Sequence, residues 1–188
     1  MKDIDYIKDK LKKIEGFRVD HTMAVEKTAV KLAKKYSVNI NKVKIASLLH
    51  DYARHFDNKK LKEMVERYNI EVDSIEKKIP DLLHSPVGAY LVEKEFNIKD
   101  KDILNAIRYH TIGRPGMSTL EKIIFVADIV EPGRDFPGVN LIREKLDNDL
   151  DGAVVLVCDF TIKYNIDRQR IIHPNTLITR NSLLKGAN

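Results

Sequence analysis

This 188-residue chain has a single cysteine, Cys158, and no tryptophan. One thiol excludes a disulfide scaffold and any cysteine-based zinc finger, and it fits a reducing compartment, so a cytoplasmic location is expected. Long apolar runs are equally scarce. The longest, Ala153 to Cys158, falls far short of the ~18 residues that a membrane span needs. Met1 to Ile14 alternates charged and apolar groups without a continuous apolar core, so no secretory signal is expected. Charge of one sign is not concentrated either: 33 Lys and Arg face 28 Asp and Glu, a net +5 spread along the chain. Although the isoelectric point is about 9.1, there is no basic stripe with interleaved aromatics, so a nucleic-acid partner is not expected. The Lys pairs at 12–13, 34–35, 59–60 and 77–78 read as solvated helix faces. A small anionic substrate is compatible with this charge.

What is present is an ordinary globular composition, 43% hydrophobic and 32% charged, at a length that predicts one domain over residues 1–188. The eight glycines and six prolines cluster at 113–116 and 132–138, leaving long stretches without helix breakers. Val25, Ala29, Leu32 and Tyr36 form one stripe at helical spacing; Val43, Ala46, Leu49 and Ala53 form a second, which Ile45 and Leu48 make apolar nearly all round, hence buried. Ser85-Pro86 predicts an N-cap and first helical position, and Ile103, Ala106, Ile107 and His110 a stripe closed by Gly113. Ser118 with Glu121 predicts a capping box ahead of Ile123 to Ala127, and further helices are expected over 150–166 and 174–185. No alternating run argues for a sheet, and there is no internal repeat. The expected fold class is all-α, with eight to ten helices.

Six histidines are distributed unevenly over this pattern. His55 and His173 fall in polar connections and read as exposed. His21 begins the first stripe, His50 ends the most buried helix, His110 continues the Ile107 stripe, and His84 precedes a helix start. Asp51 follows His50, and Asp128 stands inside the apolar run Ile123 to Val130. A carboxylate in such a run is expensive to bury unless it meets a cation or a metal. Each residue alone has a plainer reading. A single histidine on an apolar stripe is more often a satisfied core residue, and Asp128 could simply pair with an arginine. Four inward histidines and two inward carboxylates from separate helices together point to a divalent ion; without thiolate, Fe, Mn, Co, Mg or Zn fits. The residues allow two ions bridged by Asp51. They equally allow one ion on His21, His50, Asp51 and Asp128, with His84 and His110 facing substrate.

His21, His50-Asp51 and Asp128 resemble the signature of the HD phosphohydrolase superfamily, and His84 and His110 resemble the extra histidines of its potentially binuclear branch. The likeness is closer to the bacterial symmetrical diadenosine-tetraphosphate hydrolases, through Arg18 to His21, residues 46–54, 109–139 and 172–181, and it covers essentially residues 15–184. Arg54 stands where Lys is common in that family, and Asn175 where Asp is common. This resemblance implies a helical HD-domain bundle that binds a dinucleoside polyphosphate and cleaves it symmetrically to two ADP, with iron as the bound ion and attack by a metal-bound hydroxide. It also implies Asp51, His84 and His110 as catalytic groups, His21, Asp51, His84, His110, Thr111, Asp128 and Arg134 as substrate-binding residues, and a homodimer as an assembly to test. Arg134 is the first choice for holding phosphate; Thr111 with the Gly113–Gly116 backbone is second, and Arg54 and Arg18 third. The competing readings are an HD nucleotide phosphatase or phosphodiesterase on another substrate, a catalytically idle nucleotide-sensing HD module, and an RNA-binding helical domain.

Overall fold

Periodicity near 3.6 residues is met by helices along the chain. The computed structural model describes residues 3–184, and among them there are eleven α-helices, one 3₁₀ turn and no strand. In order these are α1 (Ile4–Lys12), α2 (Val19–Lys35), α3 (Ile40–Leu49), α4 (Asn58–Arg67), α5 (Ser74–Lys78), the 3₁₀ turn Pro80–Leu83, α6 (His84–Phe96), α7 (Lys101–Tyr109), α8 (Thr119–Val130), α9 (Val139–Leu146), α10 (Leu150–Asp167) and α11 (Pro174–Leu183). The all-α expectation holds, with more helices than the eight to ten expected. The surplus includes α5, whose five residues are too short to display a period. The helix expected over 174–185 is seen to Leu183, and residue 185 lies outside the described residues. No described helix is long and apolar enough to cross a membrane.

Local chemistry starts most of these helices. The side chains of Asn39, Asp57 and Asp100 accept backbone N–H bonds from the first turns of α3, α4 and α7. Ser118 and Glu121 form the expected capping box of α8, each side chain meeting the other's backbone N–H at 3.2 Å. The start of α6 differs from expectation. The 3₁₀ turn delivers Leu83 and His84 already in helical conformation, so the helix begins at His84 and Ser85 is not a cap. Likewise α3 stops at Leu49, and Ala53 lies in the turns that follow, still fully buried.

The core is built around α3 and α8, both apolar nearly all round. In α3, Val43, Ile45, Ala46, Leu48 and Leu49 are buried, and in α8 the run Ile123 to Ala127 is. Each fully buried aliphatic side chain of this kind stabilises the fold by about 1.5–3 kcal/mol. Helix α2 packs against both α3 and α8, while α7 packs against α3, α6 and α8. One end of the bundle consequently gathers the N-termini of α2 and α6 and the C-termini of α3, α7 and α8. His21, His84, His50, His110 and Asp128 lie in those helix-end segments.

Candidate metal centre

Three of the inward histidines are oriented by the backbone that carries them. His50 Nδ1 lies 2.7 Å from the Ser47 carbonyl, His84 Nδ1 2.5 Å from that of Asp81, and His110 Nδ1 2.8 Å from that of Ile107. A carbonyl only accepts, so each Nδ1 carries the hydrogen and each Nε2 presents a lone pair inward. Arg54 Nη1, 3.3 Å from His84 Nδ1, is the longer contact and does not change that tautomer. His50 and His110 also cap the C-termini of α3 and α7, where the helix dipole is negative and favours a cation.

The Nε2 atoms surround Asp51. Its Oδ2 lies 3.8 Å from His21 Nε2 and 3.6 Å from His50 Nε2, while Asp128 Oδ1 lies 3.1 and 3.9 Å from the same nitrogens. Asp51 Oδ1 faces the other way, 3.4 Å from His84 Nε2 and 3.5 Å from His110 Nε2, which are 3.2 Å apart. Donors about 2.1 Å from a shared ion stand about 3.0–3.5 Å apart along the edges of its coordination shell. The two oxygens of one carboxylate therefore serve two sets of donors at separations close to those of metal ligands. The Nε2 atoms of His21 and His50 are buried without a hydrogen-bond partner, a costly state for a neutral imidazole and an ordinary one for a ligand. A divalent ion fits these residues.

The charges agree. Burial pushes His50 and His84 below the ordinary histidine value, His84 to about 4, with His110 beside it working in the same direction. Burial also opposes charge on His110, but contact with the Asp51 carboxylate outweighs it, and the pKa of His110 is raised. Burial alone would raise Asp51 and Asp128; His50, His84 and His110 hold Asp51 well below the carboxylate range, and His21, His50 and Arg134 do the same for Asp128.

This geometry can be set beside known proteins. The HD domain family matches residues 18–133. The symmetrical bis(5′-nucleosyl)-tetraphosphatase of Bacillus subtilis is 40% identical over 90% of this chain and 91% of its own length. That of Halalkalibacterium halodurans is 43% identical over 89% of each. The chain belongs to the symmetrical bis(5′-nucleosyl)-tetraphosphatase family of HD-domain proteins. A crystal structure described as a predicted HD superfamily hydrolase involved in NAD metabolism, from Clostridium acetobutylicum, superposes with a TM-score of 0.91 at 41% identity, covering 97% of both chains. The HD domain carries with it a divalent metal, and all six residues singled out for one converge in this family member.

The remaining expected residues divide. Arg134 reaches the cluster, with Nη2 2.6 Å from Asp128 Oδ1 and Nε 2.9 Å from the Asp128 carbonyl. The Thr111 hydroxyl is 3.2 Å from Ser85 Oγ, which in turn is 3.4 Å from His84 Nε2. Arg18 Nη1 lies 3.6 Å from Asp51 Oδ2 at the exposed rim. Arg54 is turned aside: its guanidinium grips Asp81 through both oxygens. The Gly113 N–H bonds the Tyr109 carbonyl at 2.8 Å and is not free for phosphate; its φ of +68° closes α7, and a Cβ there would meet Thr179 Oγ1 at 2.7 Å.

His173 corrects the expectation of exposure. It is 5% exposed, bonds Asp73 Oδ2 through Nε2 at 2.7 Å, and accepts the Asn175 N–H at Nδ1, capping α11. With Glu76 these residues form a second acidic histidine cluster, but Arg108 occupies both Glu76 oxygens at 2.6 and 2.8 Å. The carboxylates of that cluster already have these partners, which tie α5 to α7 and α11. His55 is half-buried, with Nδ1 3.0 Å from the Tyr52 carbonyl and its ring against Phe56. Glu131 was not among the expected site residues; sequence suggested it only as a loop salt-bridge partner of Arg134, which lies 3.7 Å away. Glu131 is buried beside His21, and its signal in sequence is an acid directly after the apolar α8.

Proposed function

We propose that this chain hydrolyses diadenosine tetraphosphate symmetrically to two ADP, acting as one HD-type domain over residues 1–188. The supporting observation is the six-residue cluster, in which the two oxygens of Asp51 face separate sets of imidazole lone pairs. His21, His50, Asp51 and Asp128 hold one divalent ion; Asp51, His84 and His110 supply a second position. Iron is the proposed ion, in keeping with imidazole and carboxylate donors without thiolate. Such an ion supplies Lewis acidity and lowers the pKa of water at neutral pH.

The chain's own residues do the rest. Arg134 is the counter-ion of Asp128 in the absence of metal, and its side chain is 30% exposed. From that place its guanidinium would reach the non-bridging oxygens of a polyphosphate, where charge grows as ADP departs. The Thr111 and Ser85 hydroxyls offer further donors on the His84 side. His84 and His110, 3.2 Å apart at Nε2, would face the substrate if one ion is held, or would hold the second ion with Asp51. The N-termini of α2 and α6 add a field that favours phosphate. An idle sensing module would not need all six ligand groups. A cytoplasmic homodimer completes the proposal, with exposed Ile166, Ile171, Leu177 and Ile178 near the chain's C-terminal end as candidate contact residues, checked by sedimentation.

Product analysis tests the activity. Purified protein, as isolated, chelated, and reloaded with Fe, Mn or Co, is given diadenosine tetraphosphate in ¹⁸O-water. Water opens the central anhydride, so ADP is the sole nucleotide product and one of each two ADP molecules carries ¹⁸O on its β-phosphate. AMP and ATP in equal amounts, or full turnover after chelation, refutes the proposal. Metal analysis of the isolated protein tests iron.

A further inference from the structure

Four imidazoles face the cluster, but they are not held alike. His50, His84 and His110 each direct Nδ1–H to the carbonyl three residues earlier. His21 makes no such bond; the Arg18 carbonyl accepts the Thr22 N–H at 3.0 Å. Its Nδ1 instead meets Glu131 Oε1 at 3.2 Å, across 110 residues of chain.

Glu131 is itself firmly placed. It is 4% exposed, and its Oε2 accepts the Gly133 N–H at 2.5 Å. Arg143 bonds the carbonyls of Val130, Glu131 and Arg134, pinning the loop from outside. A Cβ on Gly133 would approach the Glu131 carboxylate oxygens to 3.0 and 3.1 Å, so the loop closes around the carboxylate because residue 133 has no side chain.

We propose that Glu131 is the positioning residue of His21: it takes the Nδ1 hydrogen, turns the Nε2 lone pair into the cluster, and strengthens that nitrogen as a donor. A carboxylate behind a ligating histidine fixes its tautomer and raises its basicity, which a neutral carbonyl does less strongly. Among the described residues, His21 alone of the four imidazoles receives this support from a full negative charge. The inference rests on the reading of His21 as a metal ligand, and Glu131 itself touches neither ion nor substrate.

The variant Glu131→Gln separates this role from simple loop support. His21 Nδ1–H and Gly133 N–H bond different oxygens of Glu131, so an amide in the same place turns its NH2 group toward one of these two donors. The test uses ¹⁵N-labelled full chain, stripped by chelator and held at mildly alkaline pH, followed by titration with zinc alone. In the wild type, His21 is expected as the Nδ1–H tautomer. In Glu131→Gln it becomes a tautomer mixture, and zinc affinity drops by about 10–100-fold, the usual effect of losing an outer partner. Gly133→Ala, which only displaces the carboxylate, shows a smaller loss in the same direction. A wild-type His21 protonated on Nε2 overturns the proposal whether or not the variants fold. A folded Gln variant with lowered melting temperature but zinc affinity within about twofold of wild type overturns it too, since loop support alone predicts that. Neither readout involves a nucleotide, so a wrong substrate assignment leaves both unchanged, while a wrong role for Glu131 leaves the products unchanged.

Discussion

Replacing Asp128 by Asn separates metal binding from scaffold. Asp128 has two partners of different kinds: His21 Nε2 at 3.1 Å, toward the metal cluster, and Arg134 Nη2 at 2.6 Å, toward the loop. If Asp128 served only as half of a buried ion pair, its loss would cost about 3–5 kcal/mol of stability. The structure argues for less. Arg134 is 30% exposed, so its pairing falls toward the surface range of about 0.2–1 kcal/mol. Asn retains an Oδ1 acceptor for Nη2, and the Arg134 Nε bond goes to the backbone carbonyl, which the substitution leaves alone. A loss of about 1 kcal/mol is expected in the metal-free protein, a fall of about 2–4 °C in melting temperature at this size. Metal should respond far more strongly. Asn removes one of two anionic ligands, and the affinity loss should exceed the ~10–100-fold that follows removal of an outer partner. Occupancy and turnover should then collapse together, and the mutant should melt close to chelated wild type. Elemental analysis, zinc titration, turnover and differential scanning fluorimetry read these four quantities. A mutant with full metal and normal turnover, or one that melts far below chelated wild type while keeping its metal, refutes the reasoning.

Two further predictions concern pH and the second cluster. His84 is held at about 4 in the fold, below the unfolded value near 6.5, so between these the unfolded chain takes up a proton that the folded chain refuses. Stability of the metal-free protein should be full above pH ~6.5 and fall as pH drops toward 4, by on the order of 3 kcal/mol from this group, with His50 adding in the same direction. His110, whose pKa is raised, opposes this only above its unfolded value. Melting temperatures of chelated wild type and His84→Asn across that range check it, and identical slopes would count against the assignment. His173→Ala should lower the melting temperature by several degrees, through loss of an N-cap worth about 0.5–2 kcal/mol. Metal content and turnover should not move; loss of metal would show that this cluster is more than scaffold.

Much of this was readable along the chain because the relevant signals are local. Stripes at helical spacing, the Ser118–Glu121 box and the absence of alternating runs determine an all-α fold. The six candidate ligands stood out because buried imidazoles and carboxylates are costly without a cation. What periodicity does not contain is direction across the molecule. Only packing decides that the two oxygens of Asp51 face different histidines, that Arg54 turns to Asp81 rather than to the cluster, and that His173 is buried against Asp73. The 3₁₀ turn that starts α6 at His84, releasing Ser85 from capping, likewise depends on how the chain enters the bundle. Glu131 is the sharpest case. Sequence shows an acid after a helix; its meaning comes from His21, 110 residues away, whose ring does not bond the carbonyl three residues earlier as the other three histidines do. Local sequence determines which groups need partners, and the tertiary structure decides which partners they get, because those contacts join residues far apart in the chain.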